Sequence, residues 1–190
     1  LSDQNQPFAM RLAVRYELPF GPGKQMLNHG MASKVLGGWA IGAFYTPDAG
    51  RPLAVSSPNN TSSFGGGTGE RPDATGVSAA LPGGPKICDN CAYFNAAAFV
   101  QTPQYQFGDV SKYLPDVNNP TSYNIDSSFE KNTRIREGVT LTFRGELFNA
   151  LNTVIFSGPT TSITSSTFGK IILSQANTPR QVQFSLRLKF

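Results

Sequence analysis

The chain has 190 residues, of which 39% are hydrophobic and only 15% are charged, whereas soluble domains carry roughly 25% charged residues. Its net charge of +4 comes from Lys and Arg residues that are scattered singly, so no basic cluster indicates a nucleic-acid-binding protein. No apolar run approaches the roughly 18 residues that a transmembrane helix needs, and the first ten residues do not have the pattern of a signal peptide.

Strict alternation of apolar and polar residues recurs along the chain and predicts β-strands with one apolar and one polar face. The four strongest candidates are residues 8–18, 122–132, 139–147 and 182–190. Weaker candidates are residues 38–46, 51–57, 91–100 and 168–174, which gives seven or eight strands. Residues 24–36 are the one place where a short helix is expected, and a long loop rich in Pro, Gly and Ser is predicted at about 58–92.

Two architectures bury one face of such strands. A soluble sandwich places the apolar face in its core, whereas a membrane barrel turns that face to lipid and keeps the polar face inside. Three of the strong strands have the length of about 9–11 residues that a tilted membrane-spanning strand requires, while soluble strands usually have about 5–6. We therefore predict an all-β fold over residues 1–190: an antiparallel up-and-down β-barrel of the transmembrane type, either closed and small or part of a larger barrel.

Several segments resemble TonB-dependent receptors of the carboxypeptidase-regulatory-like type, in the order in which that family has them. The matching segments are YELPFGPGK (16–24), LGGWAIGAFYTPDAGRPLAV (36–55), ERPD (70–73), YFNAAAF (93–99), FGDV (107–110), SSFEKNTRI (127–135), LTFRGELFNALN (141–152), FGKI (168–171) and PRQVQFSLRLKF (179–190). Within LTFRGELFNALN, the FNALN stretch resembles the asparagine–aromatic motif near the penultimate strands of these receptors.

The resemblance implies a receptor in the outer membrane of a Gram-negative bacterium that imports a bulky nutrient. Its partners would be outer-membrane lipid, the barrel-assembly machinery and TonB, with TonB acting through N-terminal parts that this chain does not contain. The alternating C-terminal strand, which ends on an aromatic ring, would be the signal that the assembly machinery recognises. Its residues are Phe184, Leu186, Leu188 and Phe190.

The only two cysteines, Cys88 and Cys91, form a CDNC motif for which three interpretations are open. A redox centre needs a thioredoxin-like βαβ setting, and a zinc site needs four ligands, whereas the chain has a single histidine, His29. A loop-closing disulfide in an oxidising, extracytoplasmic compartment is the preferred interpretation. The sequence GGGTGE (65–70) lacks the ending of a phosphate-binding loop. We expect no catalytic site, metal or cofactor, and the ligand-binding residues stay unknown.

A second hypothesis, of a different class, is a self-assembling structural β-barrel module, located at the cell surface or outside the cell, that pairs its edges with copies of itself. Under it, eight strands would close into a small barrel with the first and last strong strands adjacent. The inward polar face would carry five positive and four negative side chains: Arg11, Arg15, Glu17, Asp126, Glu130, Arg144, Glu146, Arg187 and Lys189. Girdle positions at the lipid–water boundary would hold Tyr16, Phe20, Trp39, Tyr45 and Tyr123.

Overall fold

The computed structural model describes residues 2–57 and 70–190, and its regular structure is mainly antiparallel β-sheet. The first part of the predicted long loop, residues 58–69, lies outside this described part, and so does all of the Gly-rich stretch 65–70 except Glu70. The elements in chain order are β1 (Leu12–Glu17), α1 (Gly30–Leu36), β2 (Trp39–Asp48), β3 (Asp73–Ala74), β4 (Cys91–Ala92), a 3-10 helix (Ala96–Ala98), β5 (Phe99–Val100), β6 (Ser122–Arg136), β7 (Val139–Phe148), β8 (Lys170–Ile171) and β9 (Gln181–Lys189).

The long strands form one five-stranded sheet in the order β1-β2-β6-β7-β9, so each strand pairs with the next long strand of the chain. The pairs β1–β2, β6–β7 and β7–β9 are antiparallel. The hairpin between β6 and β7 turns at Glu137 and Gly138, where Gly138 adopts a φ of 74°. The four strongly alternating segments all contribute to this sheet, because period-two alternation gives each strand one apolar face for a common side.

The sheet belongs to one of two compact units, formed by residues 10–47, 123–154 and 178–190. The described residues of the other unit are 2–9, 48–57, 70–122 and 155–177. This second unit, which we call the loop unit, has short strand pairs, β3–β5 and β4–β8, around a buried apolar core. The core residues include Leu53, Val55, Tyr93, Phe94, Phe99, Val110, Leu114, Val117 and Ile171.

Three of the weaker strand predictions do not give long strands. Residues 51–57 contain only two isolated bridges, from Pro52 and from Ser56, since a proline cannot donate to a sheet. Residues 91–100 break into β4, the 3-10 helix and β5, and the Asn95 side chain caps that helix by accepting from the Ala97 amide. Residues 168–174 retain only β8, which follows Gly169 at a φ of 77°.

The prediction that the first and last strong strands are adjacent is wrong, because β1 and β9 form the two opposite edges of the five-stranded sheet. The three segments that would have completed eight strands fold in the loop unit instead. The up-and-down order within the sheet is confirmed, and the described residues show no closure. That residues 1–190 make a single barrel segment stays a prediction.

Glycines allow the backbone of the connection between β1 and β2 to pack closely. The Cα atoms of Gly21 and Gly37 approach so closely that a Cβ at Gly21 would lie 2.7 Å from Gly37 Cα. Gly38 has a φ of 75°, a conformation that L-residues with a Cβ rarely adopt. A Cβ at Gly38 would also lie 2.3 Å from the Asn132 carbonyl oxygen of β6. The short helix predicted within residues 24–36 is confirmed as α1 in this connection.

Candidate functional site

One face of the five-stranded sheet, which we call the apolar face, carries mainly apolar side chains, and β6 adds the polar Ser127, Lys131 and Thr133 to it. The registers of the strand pairs align its members across neighbouring strands. The apolar members are Leu12, Val14 and Tyr16 of β1, Ile41, Ala43 and Tyr45 of β2, Phe129 of β6, Leu141, Phe143 and Leu147 of β7, and Val182, Phe184, Leu186 and Leu188 of β9. On β1 and β9 these side chains are exposed. The sheet therefore presents a broad apolar surface to its surroundings.

A row of four aromatic rings crosses the apolar face. The Phe129 ring lies 6.1 Å from Trp39, 6.0 Å from Phe143 and 6.3 Å from Phe184, measured between ring centroids. Phe143 and Phe184 stack with centroids 5.9 Å apart. Gly145 makes room for the row, because a Cβ there would lie 2.3 Å from the nearest Phe129 ring atom. Such ring pairs contribute about 0.5–1.5 kcal/mol beyond the area they cover, so the row links four neighbouring strands.

The residues of the predicted assembly signal lie at the edge of this face. Phe184, Leu186 and Leu188 are exposed members of β9, opposite Gly145, Phe143 and Leu141 of β7. Phe190 follows the end of β9 and its side chain is 95% exposed. The edge strand thus offers both its backbone and an accessible apolar stripe. That the assembly machinery recognises these residues stays a prediction.

Aromatic residues occur near both ends of β2. Trp39 begins the strand, and Tyr45 lies 6.4 Å from Tyr123 of β6 toward its other end. Six residues of antiparallel strand span about 20 Å, which is comparable to the height of about 25 Å between aromatic girdles of membrane barrels. Tyr16 pairs opposite Ile41 near the Trp39 end, whereas Phe20 lies outside the sheet in a bridge to Met26.

The opposite face of the sheet, which we call the polar face, carries charges of both signs. An Arg15 guanidinium nitrogen lies 3.0 Å from a Glu17 carboxylate oxygen, and its second terminal nitrogen lies 3.5 Å from a Glu130 oxygen of β6. On β7, Arg144 and Glu146 form an ion pair at 2.7 Å.

This face also forms a shallow cavity. Its volume is about 310 Å³, and its lining includes Arg15, Asp126, Ser128, Arg144 and Glu146. The register places Arg187 and Lys189 of β9 opposite Thr142 and Thr140 on the same face. Eight of the nine charged residues predicted for one polar face therefore share this face of the sheet, and Arg11 directly precedes β1. That this face is the interior of a barrel stays a prediction.

The asparagines of FNALN fasten the end of β7. Asn149 is buried, and its side-chain oxygen accepts from the Thr153 amide at 2.8 Å. Its amide nitrogen donates to the carbonyls of Thr153 and Thr178. Asn152 accepts from the Arg180 amide at 3.0 Å. Both asparagines have φ near +50°, a conformation in which Asn is favoured over most residues. The motif therefore sets where β9 starts.

Cys88 and Cys91 form a disulfide, as predicted, with their Cα atoms 5.3 Å apart. The loop that it closes is attached to β8 and the residues after it: the Asn90 amide donates to the Ile171 carbonyl, and the Leu173 amide donates to the Asp89 carboxylate. The disulfide thus lies in an anchored loop of the loop unit. Within residues 2–57 and 70–190, no group of His, Cys, Asp and Glu side chains is placed to hold a metal ion.

A cleft of about 370 Å³ opens in the loop unit beside the disulfide loop. Its lining includes Leu81, Pro85, Ile87, Asp116 and Asn118, and the buried Tyr93. Tyr93 donates its hydroxyl hydrogen to the Asn118 carbonyl at 2.8 Å, and burial raises the pKa of Tyr93 to about 12. Tyr93 is therefore a structural support of the cleft and keeps its proton at neutral pH.

Sequence reasoning missed the role of Lys131 on β6. The register places it opposite Phe143, on the apolar face. Its ammonium donates to the carbonyls of Lys34, Val35 and Gly37 at the end of α1 and lies 5.2 Å from the centre of the Trp39 ring. A signal was present, since Lys131 occupies an apolar position of the alternating pattern that contains Tyr123, Ile125 and Phe129.

A protein-family model described as "Outer membrane beta barrel domain" matches residues 1–183. No curated protein and no solved structure matches this chain. Among the described residues, no helix has the length and apolar character needed to cross a membrane.

Proposed function

This chain belongs to the outer membrane beta barrel domain family, and from that premise we propose that it forms part of the barrel wall of a TonB-dependent receptor for nutrient uptake. Membership makes it an outer-membrane protein. The energy coupling and the uptake of a bulky nutrient come from the resemblance of its segments to those receptors. In this proposal the chain is part of the wall that surrounds the transport path and binds the nutrient, and it has no catalytic chemistry of its own.

The observation that carries the proposal is the inverted distribution of side chains in the sheet. The apolar face is exposed on β1 and β9 and half-buried on β6 and β7, and Ala40 is the sheet unit's one buried hydrophobic residue among those described. An apolar surface of this breadth on a monomer marks an interaction with a partner or a membrane. In an outer-membrane protein, lipid is the surrounding that such a face requires.

The polar face supports the other half of the proposal. Its ion pairs link β1 to β6 and lie along β7, and the exposed side chain of Arg15 takes part in two of them. Outer-membrane barrels have polar interiors that are filled with water or with a folded plug. We infer that the charged side chains of this face line the lumen, where they are hydrated and pair with one another.

Growth of the native bacterium tests the transport proposal. We expect a strain that lacks this protein to lose growth on at least one source from a panel of oligosaccharides and iron chelates, and a strain that lacks TonB to lose growth on the same source. A loss in the first strain that the strain without TonB does not share would contradict energy coupling. Re-expression of the wild-type protein, which should restore growth, is the control.

The second candidate function is self-assembly, and the position of β1 and β9 favours it. Both are edge strands of the sheet among the described residues, and an exposed strand edge is a template for pairing with another chain. The mass of the protein in native membranes distinguishes the two candidates. A mass several times the 20.4 kDa of this chain on a denaturing gel supports the receptor, and a band near that mass within large native assemblies supports self-assembly.

A further inference from the structure

The short helix α1 distributes its polar and apolar side chains in the opposite way to a helix of a water-soluble protein. Its one buried residue is Ser33, with a side chain only 2% exposed. Met31 is 78% exposed, and Val35 and Leu36 are exposed as well. A helix packed on a protein in water turns its apolar stripe inward and its polar residues outward. The small polar residue of α1 faces the protein and the large apolar residues face outward.

The apolar exposure continues before the helix. Met26 and Leu27 are also exposed, so the segment 26–36 presents apolar side chains along most of its length. Two lysines stand beside them: Lys34, which is exposed, and Lys24, which is exposed and pairs with Glu17. Apolar residues flanked by lysines are the composition of segments that lie in the interfacial layer of a membrane.

The end of α1 is attached to the apolar face of the sheet. The Lys131 ammonium reaches the carbonyls of residues 34, 35 and 37, and the Trp39 indole N–H donates to the Val35 carbonyl at 3.2 Å. Carbonyls at a helix C-terminus lack partners within the helix and carry partial negative charge. They therefore compensate the charge of a lysine that stands on a mainly apolar surface.

We propose that the segment 26–36 is a lipid-interface anchor, in which α1 lies in the headgroup layer of a phospholipid bilayer and Lys131 holds it against the barrel wall. The inference rests on the proposed function, because the lipid that covers the apolar face is what continues over α1. The hairpin of β6 and β7 is at the same end of the sheet as α1, and short turns of outer-membrane barrels lie at the periplasmic side. The occupant is therefore the phospholipid of the inner leaflet.

Spin labelling of single introduced cysteines tests the anchor. The native cysteines are joined in a disulfide, so a nitroxide is attached at M31C in the protein reconstituted into liposomes of phosphatidylethanolamine and phosphatidylglycerol. Matched labels are placed at L186C on the apolar face and at V77C, an exposed position of the loop unit. Collision of each label with oxygen, which dissolves in lipid, is compared with collision with a water-soluble nickel chelate.

We expect the ratio of oxygen to nickel collisions at position 31 to exceed that at position 77 several-fold, as at position 186. A ratio at 31 equal to that at 77, with 186 still in lipid, overturns the anchor and leaves the proposed function intact. A ratio at 186 equal to that at 77 overturns both. The two failures are therefore distinguishable within one set of samples.

The positioning role of Lys131 has its own readout. K131M keeps the length of the side chain and removes the donor, so we expect a more mobile spectrum of the label at position 31 and a lower oxygen ratio there. K131R keeps a cation that reaches the same carbonyls and should retain both. K189M, on the polar face, is the matched control and should change neither. An unchanged spectrum in K131M, with the protein folded and inserted, overturns this role.

Discussion

The sheet and the loop unit dispose of their apolar side chains in opposite ways. The loop unit buries Phe94, Phe99 and Ile171 in a core, with three phenylalanine rings packed edge to face, including Phe168. The sheet keeps its rings and aliphatic side chains on an exposed face. Removal of apolar surface from water accounts for the interior core of the loop unit. Under the proposed function, lipid removes the outward face of the sheet from water in the same way.

This difference shows that the surroundings, and not composition alone, decide where an apolar residue belongs. The loop unit solves the problem within itself, with irregularly spaced apolar residues that meet in three dimensions. The sheet uses strict period two, which sorts residues to two faces and leaves one of them for an outside partner. Substitutions that act on one unit and spare the other can therefore break or sharpen the contrast.

Phe94→Ala should have the largest effect, because the Phe94 side chain is fully buried and its ring lies 5.8 Å from Phe99 and 5.3 Å from Phe168. Removal of a buried phenylalanine ring lowers the free energy of unfolding by about 3–5 kcal/mol. Thermal unfolding in detergent micelles, followed by near-UV circular dichroism, measures it. Phe107→Ala, at an exposed position of the same unit, is the control and should be close to neutral. Equal effects would contradict a conventional core.

Leu186→Arg tests the apolar face. If the site lies near the midplane of the bilayer, an arginine on the lipid side lowers the free energy of unfolding by about 2–4 kcal/mol. Urea unfolding from liposomes measures this difference. Ser185→Arg introduces the same side chain one residue earlier, opposite Arg144 on the polar face, and should have the smaller effect. A reversed order of the two variants would mean that the sheet faces lipid with its other side.

Gly38→Ala tests how the β1–β2 connection is held to β6. The alanine would need a φ of 75° and would place its Cβ 2.3 Å from the Asn132 carbonyl. Gly83→Ala is a matched control in the loop unit, with a φ of 85° and nothing within 4 Å of the new Cβ. The backbone strain is common to both variants. We therefore expect Gly38→Ala to lower the free energy of unfolding by about 1–3 kcal/mol more than Gly83→Ala, because its Cβ also overlaps a neighbouring atom. Equal losses in thermal unfolding would show that the connection yields easily.

The sheet was predictable from the sequence because every second side chain of a strand points to the same face. The residues from Val182 to Leu188 and the pairs of polar-face charges followed from that period alone. The loop unit was not predictable in this way. Its core joins Leu53, Phe94 and Ile171 from distant parts of the chain, and no local period marks such contacts. The failed strand predictions at 51–57, 91–100 and 168–174 all lie in that unit.

Lys131 was missed for a related reason. The position of a lysine in an apolar stripe has no explanation until the carbonyls that accept its hydrogen bonds are known. Those carbonyls belong to residues almost one hundred positions earlier in the chain. The disulfide of Cys88 and Cys91 was accessible from the sequence, because no other cysteine exists to compete. What lies outside the sheet is set by long-range contacts, which a single sequence does not encode in a readable period.

The smallest expected effect concerns the ion pair of Arg15 and Glu130, and it tests whether the polar face is wet. The two groups approach to 3.5 Å, and the Arg15 side chain is more than half exposed. A hydrated pair of this kind has a coupling energy of about 0.2–1 kcal/mol. A double-mutant cycle with R15Q, E130Q and the combined variant isolates that coupling.

Salt weakens attraction between exposed charges, since the Debye length falls from about 30 Å at 0.01 M to about 3 Å at 1 M. We therefore expect the coupling to vanish at high salt. If instead each single variant lowered the free energy of unfolding by about 3–5 kcal/mol at any salt concentration, the pair would be dry. The polar face would then be packed against apolar surroundings, and the assignment of the two faces to lumen and lipid would fail.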